Sequence, residues 1–198
     1  MTQIYVVRHG QTDSNKRSAC IGHKDVPLNE TGLKQADELL GKLRQIPFDV
    51  IYTSPLKRAI DTITPFVKLR QNTKLVMNYG IIERDFGKWD DMSFSEIKDK
   101  YPEEYKKWRD EWLTYKIPDG ESDEEVFLRT KEAVKKILQT HKNEKVLIVT
   151  HLCAARHIIS HLLGFSQAQS HHFFLDNTGI AVIDVDENEN GVLKGLNI

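Results

Sequence analysis

Two short apolar runs, one near each end of the chain, limit what it can fold into more than any other feature. Ile4-Tyr5-Val6-Val7 and Val146-Leu147-Ile148-Val149 are β-branched, aliphatic or aromatic throughout. Unbroken runs of this kind mark strands buried on both faces of a sheet. Each run stops abruptly: Arg8-His9-Gly10-Gln11-Thr12 follows the first and Thr150-His151 the second. Helical stripes lie between the strands. Alternating strands and helices predict an α/β three-layer sandwich, with a mostly parallel central sheet flanked by helices on both faces. Open sheets of this kind keep their ligand sites at the carboxyl ends of the strands. If the two runs are neighbours in the sheet, His9 and His151 share one pocket.

The segments between can be placed in order. Residues 11–28 read as a loop, because Asn15, Ser18, Gly22, Asp25 and Pro27 fall without periodicity. A loop this long in a compact domain is more often functional than idle. Asn29 is set as an N-cap, and Leu33, Ala36, Leu39, Leu40 and Leu43 make the apolar stripe of the helix behind it. Phe48 to Thr53 reads as a strand, with Ser54-Pro55 as the cap and first turn of the next helix. That puts Arg58 in a helical first turn at the same sheet edge as Arg8 and His9. Lys74–Met77 is a further strand, and the unpatterned stretch from Ile81 to Asp90 suits a site loop. Residues 94–116 are helical and rich in aromatics, which fits either a lid or a satellite packing surface. Ser122 and Glu125 have capping-box spacing ahead of another amphipathic helix, and strands near 180–185 and 192–196 finish the chain. No repeat, low-complexity tract or linker interrupts it. One domain over residues 1–198 is expected, with a helical, lid-like insertion around 92–120.

Charge and composition exclude some functions. A net charge of −1 leaves no basic excess to displace counterions from nucleic acid. No apolar stretch approaches membrane-spanning length. Two cysteines, Cys20 and Cys153, are too few for a disulfide framework and fit a reducing compartment. A cytoplasmic protein with neither nucleic acid nor membrane as partner is expected, and its oligomeric state is open.

The strand-end residues offer specific chemistry. Arg8 supplies a planar fork of donors matched to phosphate, and His9 a nucleophilic nitrogen near neutral pH. Gly10 lets the backbone turn and approach a neighbour closely. Other chemistries find less support. There is no P-loop and no GxGxxG after a strand. Ser54 and Ser160 lack a nucleophile elbow. His157 and His161 lie four apart and His171-His172 follow, but the glutamate of H-E-x-x-H is missing, so these are read as solvated or capping histidines and no metal site is expected. Cys153 is read as a small core residue.

Arg8-His9-Gly10-Gln11-Thr12 with Asn15 resembles the opening motif of the histidine phosphatase, or phosphoglycerate mutase-like, superfamily. The likeness continues through Gly22, Asp25, Ser54-Pro55-Leu56, Arg58, Glu83, Gly120-Glu121-Ser122, Thr150-His151, Arg156 and Asn177. The resemblance implies a phosphohistidine mechanism without metal or other cofactor. In it His9 is the nucleophile, and Arg8, Arg58 and His151 clamp the phosphate. Glu83 gives a proton to the leaving oxygen, while Asn15, Gly22 and Leu152 add to substrate or phosphate binding. Leu152 stands where relatives usually have glycine, and Asp90-Asp91 where they often have Glu-Gly, so a narrowed pocket and a stiffer loop are expected. Mutases typically carry a longer, arginine-rich insertion before the Gly-Glu-Ser motif; this chain has only about thirty residues there. The expectation is therefore a phosphatase similar to the α-ribazole and broad-specificity phosphatases, acting on a small phosphorylated metabolite (α-ribazole phosphate among the candidates). A mutase, or a non-catalytic binding module on the same fold, is the alternative.

Overall fold

Strand β1 (Thr2–Arg8) lies beside the much later strand in Lys145–Thr150, and the two run parallel. Arg8 is level with Thr150, so His9 and His151 leave the sheet side by side. The computed structural model describes residues 1–198. After β1 come α1 (Asp13–Lys16), β2 (Ala19–Cys20), α2 (Glu30–Leu43), β3 (Val50–Thr53), α3 (Lys57–Leu69) and β4 (Lys74–Met77). Then follow β5 (Met92–Ser93), α4 (Phe94–Lys100), α5 (Pro102–Asp110) and α6 (Asp123–Thr140). The chain ends with β6 (Lys145–Thr150), α7 (Leu152–Leu162), β7 (Ile180–Val185) and β8 (Gly191–Leu196).

The six-stranded central sheet has the order β4-β3-β6-β1-β7-β8. Its first four strands are parallel, while β7 runs antiparallel to β1 and β8 to β7. Side chains alternate across each strand, so one strand feeds two cores. Ile4, Val6 and Ile148 pack with Val134, Ile137, Ile158 and Leu162 of α6 and α7. Val7, Leu147 and Val149 pack instead with Leu39, Leu43, Ile63 and Phe66 of α2 and α3. Each such side chain, fully buried, contributes roughly 1.5–3 kcal/mol. This is the expected mostly parallel α/β sandwich.

Three local expectations need correction. Leu33 is 53% exposed, so the buried stripe of α2 runs through Ala36, Leu39 and Leu43. Residues 11–28 are not a plain loop. Thr12 and Asn15 form a capping box on α1, and β2 pairs with β5, level at Cys20 and Met92. Ser54-Pro55 does not start α3, which begins at Lys57; the Lys57 amide is capped from afar, donating to Asp25 Oδ1 at 2.7 Å. Gly10 makes the close approach expected of it, to Gly32, since a Cβ there would stand 2.8 Å from the Gly32 carbonyl oxygen. The aromatic segment forms a satellite core of Phe86, Trp89, Ile97 and Ile117, with Trp108 and Tyr115 packed on Trp89. No helix is long and apolar enough to cross a membrane.

Candidate active site

The two strand-end histidines meet as the sheet requires, with ring centroids 5.0 Å apart. His9 Nδ1 lies 2.6 Å from the Gly10 carbonyl oxygen. A carbonyl can only accept, so Nδ1 carries the proton and Nε2 keeps its lone pair. Burial, and then the Arg58 and Arg8 cations, hold this imidazole well below the usual histidine range. It is therefore neutral at physiological pH. His151 is fixed in the opposite tautomer. Its Nδ1 accepts from Arg58 Nε at 3.2 Å, and its Nε2 donates to Ser54 Oγ at 2.7 Å.

Arg58 reaches this point from the first turn of α3, as expected. Its Nη1 donates to the Lys24 carbonyl at 3.0 Å and its Nη2 to that of Gly22 at 2.7 Å. Burial lowers its pKa to about 10, which leaves it a cation at neutral pH. Arg8 Nη1 donates to the Leu175 carbonyl at 2.9 Å, while its buried Nε has no partner. A buried donor without a partner is uncommon in a folded protein and calls for a ligand or water.

Glu83, 5% exposed, enters from the loop after β4. Its carboxylate accepts from the amides of Arg84 (2.8 Å), Cys153 (3.3 Å) and Ala154 (3.3 Å). The last two belong to the first turn of α7. A cavity of about 500 Å³ opens above these groups, lined among others by Arg8, His9, Asn15, Glu83 and Leu152. Arg58 and His151 lie beneath it, wholly buried. Gly22 is not part of its lining: its carbonyl holds Arg58, and its amide donates to Asp90 Oδ1 at 2.8 Å. Cys153 packs against the satellite core, as a small core residue would, and also lines the cavity with Leu152. Burial pushes the Cys153 thiol well above its ordinary range, which keeps it un-ionised. A second hollow, about 540 Å³, lies by Met1, Lys142 and Asp186, away from all of these groups.

The family model of the histidine phosphatase superfamily (branch 1) matches residues 4–198. The chain belongs to the histidine phosphatase superfamily. Phosphoserine phosphatase 1 of Hydrogenobacter thermophilus is 34% identical over 198 residues, covering 100% of this chain and 93% of that protein. Among solved structures, the α-ribazole phosphatase of Shigella flexneri superposes with a TM-score of 0.92 at 24% identity, covering 99% and 96% of the two chains. A phosphoserine phosphatase of Entamoeba histolytica, solved as a mutant with phosphoserine, gives 0.84 at 27% identity, covering 100% and 97%. The protein is thus a phosphatase of this superfamily.

Several residues that build this histidine phosphatase site carry no local sequence signal. Asp90 ties down the segment that holds Arg58, accepting from the amides of Gly22 and Lys24. Asp91 takes the left-handed conformation (φ 65°) that glycine favours, so the expected loss of glycine's freedom does not prevent it. Its carboxylate accepts from Ser14 (2.6 Å), Arg17 (2.7 Å) and Lys24 (2.7 Å), contacts that offset about 1–2 kcal/mol of backbone cost. His157 is neither solvated nor capping: it is buried, with Nε2 3.2 Å from Asp123 Oδ1, while His161 Nε2 donates to the Phe127 carbonyl. No group of three or more His, Cys, Asp or Glu side chains is arranged to hold a metal ion.

The buried histidines of this phosphatase set an acid limit on stability. Burial depresses both His9 and His151 in the folded state, so the unfolded chain takes up their protons first. Their contribution is complete above about pH 6.5 and is lost as the pH falls below it, by roughly 1.4 kcal/mol per pH unit for each histidine. Urea unfolding across this range is expected to show a shallower slope for His9→Gln than for the unmodified protein. Equal slopes would contradict the buried neutral imidazole.

Proposed function

We propose that this phosphatase hydrolyses the phosphomonoester of a small metabolite through a phosphohistidine on His9, with no metal ion. The observation that carries the reading is the tautomer of His9, whose bond to the Gly10 carbonyl leaves Nε2 unprotonated at the cavity. Nε2 forms the bond to phosphorus as the ester P–O bond breaks, and Glu83, which enters this step as the protonated acid, gives its proton to the leaving oxygen. Water then attacks phosphorus, Glu83 takes its proton back, and the P–N bond breaks to free His9. Uncatalysed phosphomonoester hydrolysis is so slow that enzymes accelerate it by up to ~10²¹-fold, and much of that comes from pre-placed charge. Here the unpartnered Arg8 Nε and the buried Arg58 cation supply it. His151 serves the clamp through Arg58, whose Nε donates to its Nδ1, and so keeps that cation in place. Asn15 adds a side-chain amide at the cavity wall.

The segment around 92–120 acts in this reading as a lid, since Phe94 at the start of α4 lines the cavity and stacks on Trp108 with centroids 5.1 Å apart. A cytoplasmic setting fits the two free thiols. The test is hydrolysis of p-nitrophenyl phosphate after exhaustive chelation and dialysis. Activity is expected to survive, and vanadate, which mimics the phosphoryl group in transfer, is expected to inhibit. Loss on chelation with recovery on adding zinc or magnesium would overturn the metal-free reading.

A further inference from the structure

The Gly120-Glu121-Ser122 motif and Arg129 have no task in the reading above, and neither Glu121 nor Arg129 lines the cavity. Between them, Glu121 and Arg129 nevertheless bond every residue from Ile82 to Asp85, the segment that carries Glu83. Ser122 caps α6, accepting from the Glu125 amide at 3.1 Å, and Arg129 stands two turns further along that helix. Arg129 Nη1 donates to the carbonyls of Ile82 (2.7 Å) and Gly80 (3.2 Å), and its Nη2 to that of Glu83 itself (2.8 Å). Its Nε and Nη2 donate to Glu121 Oε1 (2.8 Å) and Oε2 (2.9 Å). A guanidinium has five N–H donors, and all of them are engaged here. Glu121 completes the frame. Its amide donates to the Asp85 carbonyl (2.9 Å), its Oε2 accepts from the Asp85 amide (2.9 Å), and its carbonyl accepts from Arg84 Nε (3.1 Å). His23 Nε2 adds a second bond to the Glu83 carbonyl at 2.9 Å.

We propose that Arg129, held by Glu121, is a positioning residue for proton transfer: it sets where the Glu83 carboxyl stands against the leaving oxygen, and it touches no substrate. The inference rests on the phosphatase reading, with Glu83 as its acid. Proton transfer needs donor and acceptor within about 2.6–3.2 Å of each other. The side chain of Glu83 is gripped loosely, since its contacts with the amides of Cys153 and Ala154 are each 3.3 Å long. The firm grip is on its backbone, and it comes from α6 through Arg129. Lysine could not reproduce it, having three donors on a point charge and no fork. A defect at Arg129 therefore shows as a fault in proton donation, selective by leaving group. A residue that served folding alone would change both good and poor leaving groups by one factor, through the amount of folded protein.

Single-turnover rates of ester cleavage test the inference, with glycerol 2-phosphate as the poor leaving group and p-nitrophenyl phosphate as the good one. Arg129→Lys is expected to slow cleavage of glycerol 2-phosphate by about tenfold to a hundredfold, as a misplaced catalytic group does. Cleavage of p-nitrophenyl phosphate is expected to slow far less. In a Glu83→Gln background no acid is left to place, so adding Arg129→Lys is expected to bring no further selectivity. Glu121→Gln turns one acceptor of the Arg129 fork into a donor. It is expected to reproduce the pattern, and it reports even if Arg129→Lys does not fold. Equal slowing on the two substrates, or an undiminished selective effect in the Glu83→Gln background, would overturn the inference. Glu83→Gln by itself separates the two failures. Selective loss there with equal losses for Arg129→Lys would sink the positioning role alone, and equal losses for both would sink the acid assignment with it.

Discussion

Replacing His9 with alanine is expected to abolish turnover, by about 10⁴-fold or more, while the protein stays folded. The nucleophile is not exchangeable here. Glu83 is committed to the amides of Arg84 and α7, His151 has both ring nitrogens engaged, and Cys153 is an un-ionised thiol. No neighbouring group can therefore take over. The fold should survive because His9 makes one side-chain hydrogen bond, to the adjacent Gly10 carbonyl, and lies at a strand end rather than within either core. Losing that bond costs about 1–3 kcal/mol. Circular dichroism and a turnover assay check both halves. A folded His9→Ala protein with substantial activity would remove the nucleophile assignment.

The second large effect separates proton donation from charge stabilisation. A general acid is worth roughly 10²–10⁴-fold, but only where the leaving oxygen needs a proton. Glu83→Gln keeps the shape of the side chain and cannot donate a carboxyl proton. One of its terminal atoms also becomes a donor facing the amide donors of Arg84, Cys153 and Ala154. On an alkyl phosphate, whose alkoxide leaves poorly, the variant should lose most of its activity. On p-nitrophenyl phosphate, whose phenolate leaves unaided, phosphoenzyme formation should fall far less. Arg58→Ala should slow both substrates alike, because it removes a cation beneath the site of the phosphoryl group, whichever group leaves. Equal losses for Glu83→Gln on good and poor leaving groups would mean that Glu83 is not the acid.

The sheet was legible because its strands are unbroken apolar runs, and the helices because their stripes carry caps and stops where the chain turns. Arg58 could be placed at the histidine edge from its position one turn into a helix after a strand. What could not be read was contact between distant segments. Asp25 caps α3 across 32 positions and Asp90 holds Gly22 across 68, and nothing in their neighbours announces either bond. Ser54 has the look of a cap by its own sequence, but its hydroxyl is drawn to His151, 97 positions away. His157 suggested a surface histidine because Asp123, its partner, lies on another helix. Leu33 failed for a different reason. Helical periodicity counted it with the stripe, whereas α2 meets the β1 loop through Gly32, where a Cβ would stand only 2.9 Å from the Gln11 amide nitrogen.

Covalent catalysis by His9 is the claim on which the rest of the mechanism depends, and rapid quenching with a ³²P-labelled substrate tests it most directly. The protein should carry label within the first turnover. That label should be released by acid and kept in base, as a phosphoramidate is, and peptide mapping should place it on His9. Label that is absent at every quench time during active turnover, or that is stable in acid and lost in base, would contradict the account.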